Sequence, residues 1–581
     1  MGELLEAVVI GSGFGGAISC CRLAQKWKNK VLLLERGKRY PMGSFPRSPH
    51  DFASNFWSPP GDQTRRPKHI AERELRGMFD MRTFTRMDAV VCAGLGGGSL
   101  IYANVFLEPP TQTFERGWPK GLDKAYLQPY YEVARSVLGA RPVPSWTSEP
   151  RRKIIRTELF QDFAHNQGRD STLADICVFF GNDFNNPTPI GVQEKNRYGA
   201  VQTSCTYCAE CDVGCNTHSK NTVDLNYLHV AEQVHQAHIQ TECVAEKIVP
   251  LNELGEEDTT ADGTHGYRVH YRHLDDGPAF VDTRRVVVSA GTLGSNELLL
   301  RCRDKYGTLP RLSQRLGQRF SGNGDFLSFV VKGKKCADPN YGPVITQYTD
   351  YNLFKNHDPD RAFILEDASY PNFAAWFVEG LQPSLNILGV LKKTWRVLCS
   401  IWRHLVQTFV DGKWSGSVGD LAHQLLKGDE SYRSIVLLCM GLDKGDGVLT
   451  LRDGNLELDW PQQTSMPLYD GIIAVGKKFK AFVQSCTFLP LPTWLWPVRN
   501  NITVHSLGGC ILADSPEQGV VSAGEHDRGQ VFGYQGLYVA DGSLLPSAVG
   551  ANPVATISAL SEWIAEGITG LTPTDDLGIN P

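Results

Sequence analysis

The chain has 581 residues, 41% of them hydrophobic and 21% charged, enough apolar side chains for a large buried core and too many for a disordered chain. At roughly 150 residues per domain this length bounds the molecule at about two to four domains. A formal net charge of −5 gives no argument for nucleic acid, and 15 cysteines, odd in number and mostly in apolar surroundings, argue against a secreted disulfide framework.

No basic leader precedes the first apolar run. The uncharged stretch 481–498 is interrupted by Pro490, Pro492 and Pro497, which disqualifies it as a membrane-spanning helix. The expected location is the cytoplasm or a membrane surface.

Ala7 to Ile10 reads as a short apolar strand, followed by Gly11-Ser12-Gly13-Phe14-Gly15-Gly16, a helical run from Ala17 to Lys26, and a second strand from Val31 to Leu34 that ends at Glu35. Strand, GxGxxG, helix, strand and acid form a dinucleotide-binding unit. Gly11 permits the tight turn, Gly13 lets backbone approach a pyrophosphate, and Gly16 lets helix and strand pack closely. The helix N-terminus offers free N–H groups to phosphate, and Glu35 is placed to accept from ribose hydroxyls. This unit alone does not distinguish FAD from NAD.

Val90 to Asn104 reads VVCAGLGGGSLIYAN, a buried glycine loop able to lie against a flat or charged ligand. Cys205, Cys208, Cys211 and Cys215 follow in CTYCAECDVGC, with the C-x2-C-x2-C-x3-C spacing of a bacterial ferredoxin, although Asn216 replaces the usual proline. Three readings compete here: an iron–sulfur cluster, a four-cysteine zinc site, and thiols that only pack a loop. Val286 to Leu300, VVVSAGTLGSNELLL, predicts a buried strand, a small-residue turn and a helix. Ser384 to Val410 carries an apolar stripe at helical spacing beside Lys392, Lys393, Arg396 and Arg403, the pattern of a basic amphipathic helix at a membrane interface or of a lid. The C-terminal part holds HSLGGC from His505 and GLYVADGSLLPSAVGANPVATISALSEW from Gly536.

The dinucleotide unit, GGGSL, SAGTLGSNELLLRCRD, FSGNGD (Phe320 to Asp325) and the C-terminal block, in that order, resemble the glucose–methanol–choline (GMC) oxidoreductases, and among them most the bacterial cholesterol oxidases with non-covalent FAD. The resemblance implies that Phe14, Gly15 and Glu35 sit on the ADP part of FAD. Gly98 and Ser99 fall at the pyrophosphate and isoalloxazine side, and Ala245 at the adenine. Asp541 and Gly542 meet the pyrophosphate and ribityl chain, and Asn552 and Pro553 lie by the flavin ring. Tyr102-Ala103-Asn104 stands where those oxidases have Asn-Gly-Gly, a departure that puts Asn104 at the flavin.

Alcohol oxidation removes a hydride from carbon and a proton from oxygen. The resemblance makes His505 the proton acceptor, a task that suits histidine. It pairs Asn552 with His505 on the hydroxyl. It makes Glu366, in AFILEDASYP, the acid that moves a proton in Δ5 to Δ4 isomerisation.

The expected fold is a doubly wound α/β FAD-binding domain from residues 1–45, 88–115, 225–325 and 500–581. It is interleaved with an α+β substrate domain that contains an antiparallel sheet, from residues 46–87, 116–224 and 326–499. The expected function is oxidation of a secondary alcohol on a sterol or other apolar molecule, with electrons passed to O2 or through a cluster to a carrier. The rivals are a dehydrogenase of another alcohol, long-chain or sugar, and a flavoprotein of electron transfer without alcohol chemistry.

Overall fold

The structure is a computed structural model that describes residues 4–59, 74–144, 153–371, 431–485, 487–494 and 499–579. The apolar basic segment 384–410 and Trp496 lie outside the described residues. No helix among the described residues is long and apolar enough to cross a membrane.

Five short strands, buried mainly on both faces, form a parallel sheet: β1 (Ala7–Ile10), β2 (Val31–Leu34), β3 (His238–Gln240), β4 (Val286–Val288) and β5 (Leu537–Val539). Their order is β3-β2-β1-β4-β5, with β1 at the centre paired to β2 on one side and to β4 on the other. This is the arrangement of a doubly wound nucleotide-binding sheet, and ligands bind it beyond the carboxyl ends of the strands. Continuous runs such as Val-Leu-Leu-Leu form its strands because helices cover both faces.

Helix α1 (Phe14–Lys26) follows β1 across a turn in which Gly11 has φ +96°. A Cβ on Gly15 would stand 1.6 Å from the carbonyl oxygen of Ala540, and one on Gly16 would stand 2.0 Å from that of Gly11. No side chain fits at either position. Helix α2 (Gly291–Leu300) follows β4, and helix α3 (Val554–Thr569) follows the loop after β5 and packs on α1. Between α1 and α3 the guanidinium of Arg22 meets the carboxylate of Glu562 at 2.8 Å, both fully buried, and Tyr227 donates to the same carboxylate at 2.7 Å.

A second, six-stranded sheet is antiparallel throughout. At its centre Phe326–Val331, Ile435–Gly441 and Phe363–Ala368 lie side by side. Period-two alternation divides its faces. Ile435, Leu437 and Cys439 turn to the helices Ile155–Asn166 and Met466–Phe482, while Val436 and Leu438 turn to the opposite face.

Short pairings form two further sheets. Asn501–Thr503 runs parallel to Met87–Cys92, and Gln318–Ser321 pairs with Leu507–Gly509, with Ser321 opposite Leu507. The segment between Thr503 and Leu507 is thereby held against the one between Ser321 and Phe326.

Candidate active site

A cavity of about 1000 Å³ lies between the two sheets, at the upper end of the range for ligand sites. The dinucleotide turn contributes Gly11, Gly13, Phe14 and Gly15 to its wall, and the end of β2 contributes Glu35. The Glu35 carboxylate accepts from Ser12 N at 3.1 Å, Ser12 Oγ at 2.5 Å and Gly37 N at 2.8 Å. Its position is therefore fixed before any ligand arrives.

Several features of this wall match a dinucleotide. The N-cap of α1 is Gly13, and no side chain caps the helix. Ala290, the N-cap of α2, makes no side-chain cap either, but there the Gly291 N–H donates to the Asp541 carboxylate. Uncapped N–H groups facing a cavity are an anion site. A Cβ added at Gly13, Gly98 or Gly291 would meet no protein atom within 4 Å, so these positions open onto ligand space. Ala245, Asp541, Gly542 and Pro553 also line the cavity. Asp541 is braced by Ser295 Oγ at 2.5 Å and Ser543 N at 2.8 Å. This wall fits FAD, whose phosphates would meet Gly13 and the N-terminus of α1 and whose ribose would meet Glu35.

Gly16 packs under the turn, in the close helix–strand packing expected of it. Two residues expected at the cofactor, Ser99 and Asn104, are placed elsewhere. Ser99 is fully buried, donating to Gly96 O at 2.7 Å and accepting from Val223 N at 3.1 Å. Asn104, at φ +73°, is buried beside Cys211, while its neighbours Ala103 and Val105 take the cavity wall. A loop that crosses a wall presents alternate residues to it, and register selects which.

His505 and Asn552 both line the cavity. His505 sits between the strands Asn501–Thr503 and Leu507–Gly509, its side chain 17% exposed. Its Nδ1 lies 2.8 Å from Asp325 Oδ1, so the ring edge bearing Nε2 is free for another partner. Asn552 follows the turn Val549–Ala551, and its Oδ1 is buried without a hydrogen-bond partner.

Glu366 does not line the cavity. It is fully buried in the central strand Phe363–Ala368, beside Asn552. Burial first, and then the neighbouring Asp367, push its carboxyl well above the usual carboxylate range.

On the side of the antiparallel sheet and its margin the cavity wall carries the apolar Phe326, Leu327, Phe329, Val436, Leu438 and Leu491, while charged side chains such as Arg82, Arg272, Glu297 and Arg301 line it elsewhere.

Cys205, Cys208, Cys211 and Cys215 line a separate void of about 10 Å³, room for one water. Tyr207 N donates to Cys205 Sγ at 3.4 Å and Ser219 N to Cys215 Sγ at 3.2 Å. Burial pushes the Cys205 thiol well up and the Cys208 thiol up to about 12. Among the described residues no group of three or more His, Cys, Asp and Glu side chains is arranged to hold a metal ion, so as placed the run does not fit an iron–sulfur cluster or a zinc ion. Buried Lys220 donates to the carbonyls of Leu100, Tyr102 and Cys211, at 2.8, 3.2 and 2.5 Å, and ties the run to the glycine loop of the cavity.

Sequence reasoning missed Lys220 and singled out Asp325 only as part of FSGNGD. The available signal was an acid closing a Gly-Asn-Gly turn, but its partner lies 180 residues away.

The family model of GMC oxidoreductases matches the chain in two parts, residues 188–303 and 496–561. A cholesterol oxidase of Acinetobacter baumannii is 28% identical, over 96% of this chain and 93% of its own length. One of Mycobacterium tuberculosis is 27% identical, over 98% and 92%. A long-chain-alcohol oxidase of Arabidopsis thaliana is 36% identical, over 97% of this chain and 67% of its own. Among solved structures, pyridoxine 4-oxidase from Mesorbium loti superposes with a TM-score of 0.57 at 13% identity, covering 97% of this chain and 98% of that one. A fungal aryl-alcohol oxidase gives 0.53 at 15%, covering 98% and 99%. At such identities these two likenesses concern the fold alone.

Proposed function

The chain belongs to the GMC oxidoreductase family and is an FAD-dependent alcohol oxidoreductase, and from that premise we propose that it oxidises the hydroxyl of a sterol, with O2 as the electron acceptor. The observation that carries this reading is that His505 and Asn552 share a cavity with an apolar stretch, Phe326, Leu327, Phe329, Val436, Leu438 and Leu491, on its antiparallel-sheet side. A sugar would leave hydroxyls unpaired against that stretch, at a cost for each. Two relatives named as cholesterol oxidases, aligned over nearly the whole chain, support the sterol. The relative from Arabidopsis thaliana supports a second reading, a long-chain alcohol in the same cavity.

In the proposed reaction the alcohol oxygen hydrogen-bonds to His505 and Asn552. Its proton moves to His505 Nε2. Bound FAD supplies the acceptor for the hydride that leaves the carbinol carbon. The apolar wall excludes water while charge develops on the oxygen, which strengthens the bonds that both side chains make to it. Where the alcohol is a 3β-hydroxy-Δ5 steroid, we assign to the Glu366 carboxylate the proton transfer that moves the double bond to Δ4, taking the proton from C4 and returning it at C6.

The test is anaerobic mixing of the flavin-loaded protein with cholesterol and, separately, with a long-chain primary alcohol, followed by flavin absorbance. Sterol is expected to bleach the flavin, and admitted air to restore it with release of H2O2. Bleaching by the long-chain alcohol alone would move the assignment to the second reading. An iron–sulfur EPR signal in anaerobically purified protein would overturn direct return of electrons to O2.

A further inference from the structure

One turn contacts the His505 side chain and the backbone that leads into Asn552. Ser321 to Asp325 connects the strand Gln318–Ser321 to the strand Phe326–Val331. The carboxylate of Asp325, 3% exposed, is committed on both oxygens. Oδ1 meets His505 Nδ1 at 2.8 Å. Oδ2 accepts from Thr503 Oγ1 at 3.0 Å, Val504 N at 2.9 Å and His505 N at 3.2 Å. Asp325 thus holds the histidine by its backbone and its ring together.

Two residues earlier, Asn323 is fully buried at φ +55°. Its Oδ1 accepts from Val549 N and Gly550 N, each at 3.0 Å, and its Nδ2 donates to Ala551 O at 2.8 Å. These bonds clasp the three residues that lead into Asn552. The turn is itself anchored, since the Asp443 carboxylate accepts from Ser321 Oγ, Gly322 N and Gly324 N at 2.7 to 3.0 Å.

We propose that this turn sets the active geometry of both side chains, with Asp325 fixing the tautomer and direction of His505 and Asn323 fixing the place of Asn552. The proposal rests on the alcohol-oxidising reading of the site. A carboxylate on Nδ1 requires the proton there, which leaves Nε2 with its lone pair toward the alcohol. The imidazolium formed when the alcohol proton arrives keeps the same anionic partner. Asp325 and Asn323 are positioning residues, because neither accepts the proton or the hydride.

The experiment compares D325N, D325E, N323A and H505A as flavin-loaded proteins, reading anaerobic flavin reduction against alcohol concentration. D325N is expected to lower the limiting reduction rate by about 10²-fold or more, since an amide cannot enforce the tautomer. The alcohol concentration at half-maximal rate is expected to change by no more than about threefold, because the binding wall is intact. D325E keeps the anion and is expected to recover about tenfold of the loss. N323A is expected to lower the limiting rate by about tenfold to 10²-fold through a small displacement of Asn552.

Wild-type reduction rates in both D325N and N323A would overturn the proposal, as would D325E no faster than D325N. If D325N fails to hold flavin, D325E and N323A decide by the same criteria. H505A separates the two claims. Unchanged turnover in H505A defeats the reading of the site itself, whereas loss in H505A with wild-type rates in the other variants defeats only the assignment of the turn.

Discussion

At the scale of single residues, the cavity contrasts groups that are held with groups that are not. His505 is held through Nδ1, while Asn552 Oδ1 lacks a partner, so the asparagine has capacity for a substrate oxygen or a flavin edge. Glu366 is different in kind, a fully buried acid beside Asn552. Glu366→Gln removes the carboxylate that would take the C4 proton, with little change of volume. With a 3β-hydroxy-Δ5 sterol the variant is expected to oxidise the hydroxyl at close to the wild-type rate and to accumulate the unconjugated ketone, seen as a missing enone absorbance in the product. Equal enone formation in variant and wild type would remove Glu366 from the chemistry. His505 and Asn552 were legible in the sequence because each stands in a short block with a recognisable surround, HSLGGC and GANP. Asp325 was not, because what selects it is the pairing of Ser321 with Leu507, and register between distant strands leaves no local trace. Asn104 and Ser99 were misplaced for the same reason, since a loop read by composition does not say which of its residues face inward.

At the scale of elements, the glycines of the first turn separate into two mechanical classes. Gly15 leaves no room for a side chain, whereas Gly13 opens onto the cavity at φ −64°, a backbone value any residue adopts. Gly15→Ala is expected to destabilise the fold by about 1–3 kcal/mol, the usual scale for overpacking. Gly13→Ala is expected to keep the wild-type melting temperature of the apoprotein and to lose flavin. Thermal unfolding and flavin content of the two variants check this, and equal flavin content in Gly13→Ala and wild type would contradict it. The turn anchored by Asp443 gives a pH-dependent test. Desolvation raises this carboxyl to about 6. Between the ordinary carboxylate range and about 6 the folded protein keeps a proton that the unfolded chain has released, so stability falls as pH rises through that window and levels off above it. The size is on the order of 3 kcal/mol. Relative to D443N, the wild type is therefore expected to lose melting temperature from pH 4 to 6 and no further to pH 8. Parallel curves for the two proteins would show that Asp443 does not carry this effect. The strand–turn–helix unit was readable from sequence because its periodicity and its glycines agree. The cysteine run was readable as a cluster but not as a brace, since its spacing matches ligand runs and its tie through Lys220 is formed only by folding.

At the scale of the whole molecule, the doubly wound class and the antiparallel second sheet were legible, the first from one unit near the N-terminus and the second only through the resemblance. The order of strands was not, because β3, β4 and β5 are three-residue segments scattered over some 300 positions and none is distinctive alone. Long-range pairing of this kind has a consequence in time. The first strand of the sheet begins at Ala7 and its last edge is Leu537–Val539, while helix α3, which covers α1 through the buried Arg22–Glu562 pair, ends at Thr569. A chain still emerging from the ribosome makes the dinucleotide turn long before Asp541, Asn552 and the helix that packs over α1, which lie more than 500 residues further on. One wall of the cavity therefore exists well before the wall that faces it, so a ligand is enclosed there only after Asn552 has been made.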